Sequence, residues 1–472
     1  MKKLMCLAWT AALILLHASA QADVKLPAIF SDHMVLQRGI KLPIWGTAEA
    51  DEKVTVSIAG QKVSATADAQ GKWRVTLEPI SAAEPLAMKV SGKNTLTISD
   101  ILIGEVWLCS GQSNMSFSVA RAQNAAEAIK AAEKPTIRLF TVGRAFKDEP
   151  QQELSGKWEI CSPATVKDFS AVAYFFGSEL QQALKSPVGL IESGWGGTRA
   201  EAWIPRKAFD DLHLPYEPEW TQQWLKPTKP DPASSEPARE RPYQAPASLY
   251  NGMIAPLAGF PIRGALWYQG ETNTAYPKEY RDVLTALATS WRAAWNQGDF
   301  PFLIVQLPNF KSGTRDWVMM RESQAHAARQ LPNAGLVVTI DKGNPHDIHP
   351  KDKQPVGHRL AALALKTTYG KDIPYTGPTL KCADFGEDKI TLTFDHTDGG
   401  LKSKGNLEGF EIAGADGKFE PASAMIQGDQ IILTEGKINS ATAVRYAWAN
   451  DPKCTLYNGA GFPAAPFTTR KK

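Results

Sequence analysis

The sequence predicts a mixed α/β protein with a largely parallel sheet, flanked by small β-rich regions at both ends. Three patterns support this. From Asp100 to about Gly370 short apolar runs alternate with helical patterns, as in a sheet covered by helices on both faces. From Val24 to about Asp100 only short alternating runs occur, divided by Gly46, Gly60, Gly71 and Gly92, as in a small β-sandwich. Beyond Lys371 the alternation becomes β-like again.

Length and composition set the frame. At 472 residues the chain exceeds one ordinary domain. Its 43% hydrophobic and 21% charged content is that of a globular protein with an ample core, and most of the 14 tryptophans are expected to pack inside it. Residues 1–22 carry Lys2 and Lys3, an apolar run from Leu4 to Leu16 and small residues at Ala18, Ala20 and Ala22, the pattern of a secretory signal peptide. Export would remove two lysines and no acid, leaving a net charge of about +1. No basic run with interleaved aromatics suggests a nucleic-acid partner. After the leader no apolar stretch reaches a membrane span of ~20 residues. Cys109, Cys161, Cys382 and Cys454 then remain, an even number that fits an oxidising compartment; of three pairings, Cys109 with Cys161 and Cys382 with Cys454 are favoured because each stays within its own region.

Within the N-terminal region (23–99) the strand candidates are Lys41–Trp45, Lys53–Ile58, Lys72–Leu77 and Thr95–Ile98. This region could bind sugar or serve as a structural wedge, and the wedge is favoured because fold alone carries no function. In 100–370 the strands are Ile101–Cys109, Thr136–Val142, Val188–Ile191, Gly264–Tyr268, Phe302–Leu307 and Leu336–Ile340. The helices are Ser118–Glu133, Ser170–Leu184, Glu279–Trp295, Val318–Leu331 and Lys353–Tyr369. Six prolines in 226–246 mark an irregular insertion, because the α/β pattern resumes at Ser248. The closing region (371–472) has strand candidates Ile390–Phe394, Phe410–Ile412, Gln430–Leu433 and Ala443–Trp448.

The chemistry concentrates at Ile101 to Met115, where an apolar run stops at Ser110-Gly111-Gln112-Ser113-Asn114. Strand, tight turn and helix would lift the Ser113 hydroxyl to the carboxyl end of the sheet. Ser113 is not in a Gly-x-Ser-x-Gly pentapeptide, which counts against the common α/β-hydrolase elbow. A serine nucleophile needs a base. Of the 8 histidines, His349 is the best placed: it follows the last strand, precedes Pro350 at an expected helix start, and has Asp347 two residues before it. A helix N-terminus there would disfavour the imidazolium. His346, Asp347 and His349 could also suggest a metal, but no second cluster completes a ligand shell, so no metal or other cofactor is implied.

Four ordered blocks sharpen this reading. Gly104-Glu105-Val106-Trp107 with Gly111-Gln112-Ser113-Asn114-Met115, then Gly194-Trp195-Gly196-Gly197-Thr198, Trp267-Tyr268-Gln269-Gly270-Glu271 and Asp347-Ile348-His349-Pro350, follow Phe30-Ser31-Asp32-His33-Met34-Val35-Leu36-Gln37 near the start. Together they resemble the sialate O-acetylesterase family, a branch of the SGNH/GDSL hydrolases. The resemblance implies an SGNH-type three-layer α/β catalytic domain and a secreted or periplasmic carbohydrate O-acetylesterase. Ser113 would be the nucleophile, His349 the base and Asp347 its orienting acid, although some relatives manage with a dyad. The oxyanion donors would be the amides of Ser113 and Gly196 and the side chain of Gln269, with Asn273 as fallback. Gln112, Asn114, Glu271 and Arg199 complete the expected substrate-contacting set; Glu271 could instead brace its loop, and Arg199 could grip a carboxylate or form a structural ion pair. The partner is an O-acetylated carbohydrate. The rivals are an acetylxylan or other plant-polysaccharide esterase, and a non-catalytic carbohydrate-binding protein.

Overall fold

A computed structural model describes residues 23–214, 242–311, 313, 316–434 and 441–470. The leader 1–22 and residues 226–241 of the proline-rich stretch lie outside the described residues. The molecule is mixed α/β, with one 11-stranded sheet and further β-rich sheets toward the C-terminus.

The sheet is built outward from one long strand, Thr95–Gly111. Its first half pairs antiparallel with Leu86–Ser91 in the N-terminal β region, and its second half forms the middle of the central sheet. The expected boundary at residue 99/100 therefore falls inside a continuous strand. Across the central sheet the order is Ala334–Val337, Phe302–Val305, Gly264–Tyr268, Thr95–Gly111, Val188–Gly194, Lys134–Thr141 and Trp158–Cys161. Every neighbouring pair is parallel except the last.

Alternation along these strands explains why helices cover two faces. Val106 and Leu108 join one core with Leu266's neighbours Ala265 and Trp267, together with Leu287 and Trp291 of helix Tyr280–Trp295 and Met320 of helix Trp317–Gln330. Trp107, Cys109 and Leu266 join another core with Phe176 of helix Ala171–Leu184 and Leu360 of helix Gln354–Thr367. A strand that is apolar on both sides reads as a continuous hydrophobic run, which is the pattern at Ile101–Cys109.

The N-terminal motif serves this architecture. Val35–Gln37 adds to the central strand in parallel. The Gln37 amide donates to fully buried Glu105 at 3.1 Å; Arg263 pairs with the same carboxylate at 2.7 Å, and Arg38 also binds it. Tyr369 donates its hydroxyl to Glu105 at 3.0 Å, so one carboxylate joins the N-terminal strand to the last helix's end. The wedge reading of this region rests on those contacts.

Two expectations are corrected. The helix Ser118–Glu133 is replaced by a short 3-10 turn, Val119–Arg121, and a six-residue helix, Ala125–Lys130. The cause is local: the Val119 and Ala120 amides bond to the Phe169 and Lys167 carbonyls, and Asn124 sits in the left-handed region at φ 58°. The four cysteines are free thiols. Cys109 and Cys161 lie three strand positions apart, roughly 14 Å at the usual spacing, well beyond disulfide reach. Cys382 lies on the exposed strand Thr379–Phe385, whereas Cys454 belongs to a loop packed near Tyr446. Burial pushes the Cys161 and Cys454 thiols up to about 12, so these two are poor nucleophiles, and the free thiols lend no support to export.

Candidate active site

Three loops leave the sheet at one level. Gly111 is in register with Gly194 on one side and Tyr268 on the other, so the segments beginning at Gln112, Trp195 and Gln269 emerge side by side at the strands' carboxyl ends. Among the seven strands of the central order, the first in the chain, Thr95–Gly111, is also the middle one, with later strands on both sides of it, and such a switch point opens a crevice. Gly111 makes the exit possible: its φ is 143°, and a Cβ there would lie 2.2 Å from the Tyr268 carbonyl oxygen. The chain then forms a single tight turn, with the Met115 and Ser116 amides bonding back to the Gln112 carbonyl.

Ser113 sits on that turn, half-buried. The His349 Nε2 lies 2.8 Å from its Oγ, although 236 positions separate them in sequence. Helix Gln354–Thr367 begins five residues beyond His349, so the expected helix N-terminus is not what keeps the ring neutral. Burial lowers the His349 pKa below its ordinary 6.5; Asp347 opposes this, while Lys353 and Arg121 reinforce it.

Asp347 is placed differently from a buried triad acid. Its Oδ1 accepts the His349 backbone N–H at 2.8 Å and lies 4.0 Å from the ring Nδ1. It fixes the loop that carries His349 rather than bonding the ring. Because an asparagine oxygen can accept the same backbone bond, Asp347→Asn should lower kcat about tenfold or less, against the ~10⁴ lost when a triad acid that bonds the ring is replaced. Steady-state kcat for the purified variant checks this; a loss near 10³ would mean that the carboxylate does meet the ring during turnover. His346→Ala should be mild, since the His346 contact given by the structure is its backbone amide to Asn344.

Gly196 packs directly against Ser113: a Cβ there would meet the Ser113 Cβ at 3.1 Å and Cα at 3.6 Å. Beside it, the Trp195 ring stacks on Tyr243 with centroids 4.9 Å apart and planes within 10°, and the Arg144 guanidinium lies 5.6 Å over the Trp195 ring. Beneath this loop Glu192 accepts the Ser116 hydroxyl at 2.7 Å, and burial raises its pKa to about 7.

The third expected oxyanion donor is reassigned. Gln269 is buried, and its Nε2 donates to the Thr198 carbonyl at 3.0 Å and to Asn273 Oδ1 at 2.8 Å, which occupies both amide hydrogens. Asn273 Nδ2 is held in turn by the Glu201 carboxylate at 2.8 and 2.9 Å. Both side chains join the loop after Gly194 to the loop after Tyr268.

The expected substrate-contacting residues are mostly braces. Gln112 Oε1 accepts the Thr272 amide at 3.4 Å and its hydroxyl at 3.3 Å. Asn114 Nδ2 donates to Glu271 at 2.5 Å and to the Ile348 carbonyl at 3.0 Å, while its Oδ1 accepts from Lys353 Nζ at 2.5 Å. Asn114 thereby fastens the Ser113 turn to the His349 loop. Arg199 is 4% exposed, with its guanidinium over the Tyr276 ring at 5.9 Å.

Lys353 was not foreseen. It is 1% exposed, its ammonium lies over the Phe117 and Tyr268 rings at 4.9 and 5.4 Å, and burial lowers its pKa to about 7 against the opposing pull of Glu271. In sequence it ends the charged run Lys351-Asp352-Lys353, which reads as a solvated face. No group of three metal-ligand side chains occurs among the described residues, and no helix among them is long and apolar enough to cross a membrane.

Comparisons with known proteins agree in direction. Residues 103–366 match the family of carbohydrate esterases described as sialic acid-specific acetylesterase. The chain is 30% identical to the sialate O-acetylesterase of Rattus norvegicus over 97% of each chain, and 29% identical to that of Homo sapiens over 95% of this chain and 93% of the other. It also superposes on the crystal structure of a carbohydrate acetylesterase from Xanthomonas citri with a TM-score of 0.86 and 37% identity, covering 95% of this chain and all of that one.

Proposed function

The chain belongs to the sialic acid-specific acetylesterase family of carbohydrate esterases, and on that premise we propose that it is a serine sialate O-acetylesterase with an SGNH-type catalytic domain. The observation that carries the mechanism is the 2.8 Å approach of His349 Nε2 to Ser113 Oγ at the carboxyl end of the central strand. Ser113 attacks the acetyl carbonyl while His349 removes its proton. The sugar hydroxyl leaves with that proton, and His349 then activates water to hydrolyse the acetyl-enzyme. The Ser113 and Gly196 amides are assigned to the oxyanion, because the Gly196 backbone lies against the nucleophile. Asp347 holds the loop, and the neutral ring is favoured by burial and neighbouring cations.

A non-catalytic sugar-binding role gives no reason to hold a histidine ring at hydrogen-bond distance from a serine hydroxyl. Export remains part of the proposal on the strength of residues 1–22. Acetate release from O-acetylated sialic acids, acetylated xylan and a nitrophenyl acetate tests the substrate. Turnover of the sialates is expected; release from acetylxylan with none from the sialates would leave the esterase mechanism standing and overturn the substrate.

A further inference from the structure

The catalytic histidine opens onto a cavity of about 480 Å³ whose wall includes Phe117, Arg121, Asp347, His349 and Lys351. Ligand-holding clefts usually measure roughly 300–1,000 Å³, so a sugar fits. The wall carries two cations against one carboxylate, and that carboxylate already accepts the His349 amide. Arg121 is exposed and lies over Phe117, with Cζ 4.4 Å from the ring centroid. Among the described residues no ion pair or side-chain hydrogen bond engages its guanidinium, so the fork is oriented by the ring while its N–H donors stay available. Lys351 is likewise exposed; its carbonyl accepts the Gln123 amide, which ties the lysine's loop to the segment bearing Arg121. Arg121 and His349 line the same cavity, so a ligand held by the guanidinium lies beside the ring.

The geometry points to Arg121, assisted by Lys351, as the subsite that binds the carboxylate of an acidic sugar while its acetyl ester lies at Ser113. This rests on the sialate reading above and relocates the anion site from buried Arg199 to the open cavity beside His349. A guanidinium meets a carboxylate through two parallel N–H bonds, a contact that a neutral sugar or an esterified acid cannot reproduce.

The test compares one O-acetylated sialic acid with its own methyl ester, in which a methyl group caps the carboxylate and removes its charge. The wild-type enzyme should prefer the free acid by about tenfold in kcat/KM, the size of one charged hydrogen-bonded contact. In Arg121→Gln that preference should fall to about twofold or less through KM for the acid, and Arg121→Lys should recover part of it because the charge returns without the fork. Lys351→Gln, at a second lining residue of the cavity, should reduce the preference partially. Added salt should raise KM for the acid and leave the methyl ester nearly unchanged. Equal turnover of acid and ester by the wild type, or an equal loss on both in Arg121→Gln, would overturn the subsite while the sialate reading stood. Acetate release from neither form would overturn both.

Discussion

Replacing His349 with alanine should lower kcat for acetate release by about 10⁴- to 10⁶-fold, and Ser113→Ala should do the same. The two act as one unit: the 2.8 Å contact means that neither the attack nor the proton transfer proceeds without its partner, so the double variant should lose scarcely more than either single one. Both residues are half-buried on loops, so thermal unfolding should stay within a few degrees of the parent. The pH profile gives an independent check. Because burial, Lys353 and Arg121 lower the pKa of His349, the acid limb of kcat/KM should fall below pH 6.5, where an ordinary histidine would already be half protonated. A preserved fold with kcat reduced less than a hundredfold in His349→Ala would remove histidine as the base.

Strand positions were legible because burial on both faces leaves an unbroken apolar run that no polar residue disguises. Val188–Gly194, Gly264–Tyr268 and Phe302–Val305 all appear in the sequence within a few residues of their observed bounds. Helix Tyr280–Trp295 was equally plain, since Tyr280, Val283, Leu284, Leu287 and Trp291 repeat on one face. The segment after Ser113 misled because its alanines favour helix locally, whereas its backbone amides are claimed by Phe169 and Lys167, partners that no local pattern reveals. The strands Gln61–Thr66 and Leu86–Ser91 were missed since the first has no buried residue and the second only two. The sheet's crossing order defeated the cysteine pairing for the same reason: proximity in sequence said nothing about the two strands that intervene.

The site divides along the same line. Ser113 and His349, picked from sequence blocks for their own chemistry, are brought within 2.8 Å of each other. Residues whose role depends on which atoms are already bonded could not be picked that way. Gln269 carries the right amide for an oxyanion, yet Thr198 and Asn273 occupy its hydrogens. Arg199 carries the right cation for a carboxylate, yet it is buried, and exposed Arg121 stands at the open wall instead.

Lys353→Met should change how stability depends on pH, and by a large amount. In the folded protein the ammonium is 1% exposed, so burial lowers its pKa from 10.5 to about 7; in the unfolded chain it titrates near 10.5. Below pH 7 both states hold the proton and the full cost of burying the charge is felt, on the order of 5 kcal/mol at ~1.4 kcal/mol per pKa unit. Between about pH 7 and 10.5 the unfolded chain holds more protons than the folded one, so this group's contribution to stability rises with pH, by up to about 1.4 kcal/mol per pH unit. Methionine fills the volume without a charge and removes that slope. It also leaves Asn114 Oδ1 without its donor and Glu271 without its neighbouring cation, a loss of about 3 kcal/mol or more that shifts the whole curve downward. The slope and the offset are therefore separable in urea titrations repeated from pH 6 to 10. Activity should fall about a hundredfold, because the Asn114 bridge from the nucleophile turn to the Ile348 carbonyl loses its third anchor, and a misplacement near 1 Å suffices for that. The acid limb of the residual activity should also move up, since a cation that lowers the His349 pKa is gone. Parallel stability curves for parent and variant would mean that Lys353 titrates as an exposed lysine does, and the buried Asn114–Glu271–Lys353 cluster would then not be what registers Ser113 against His349.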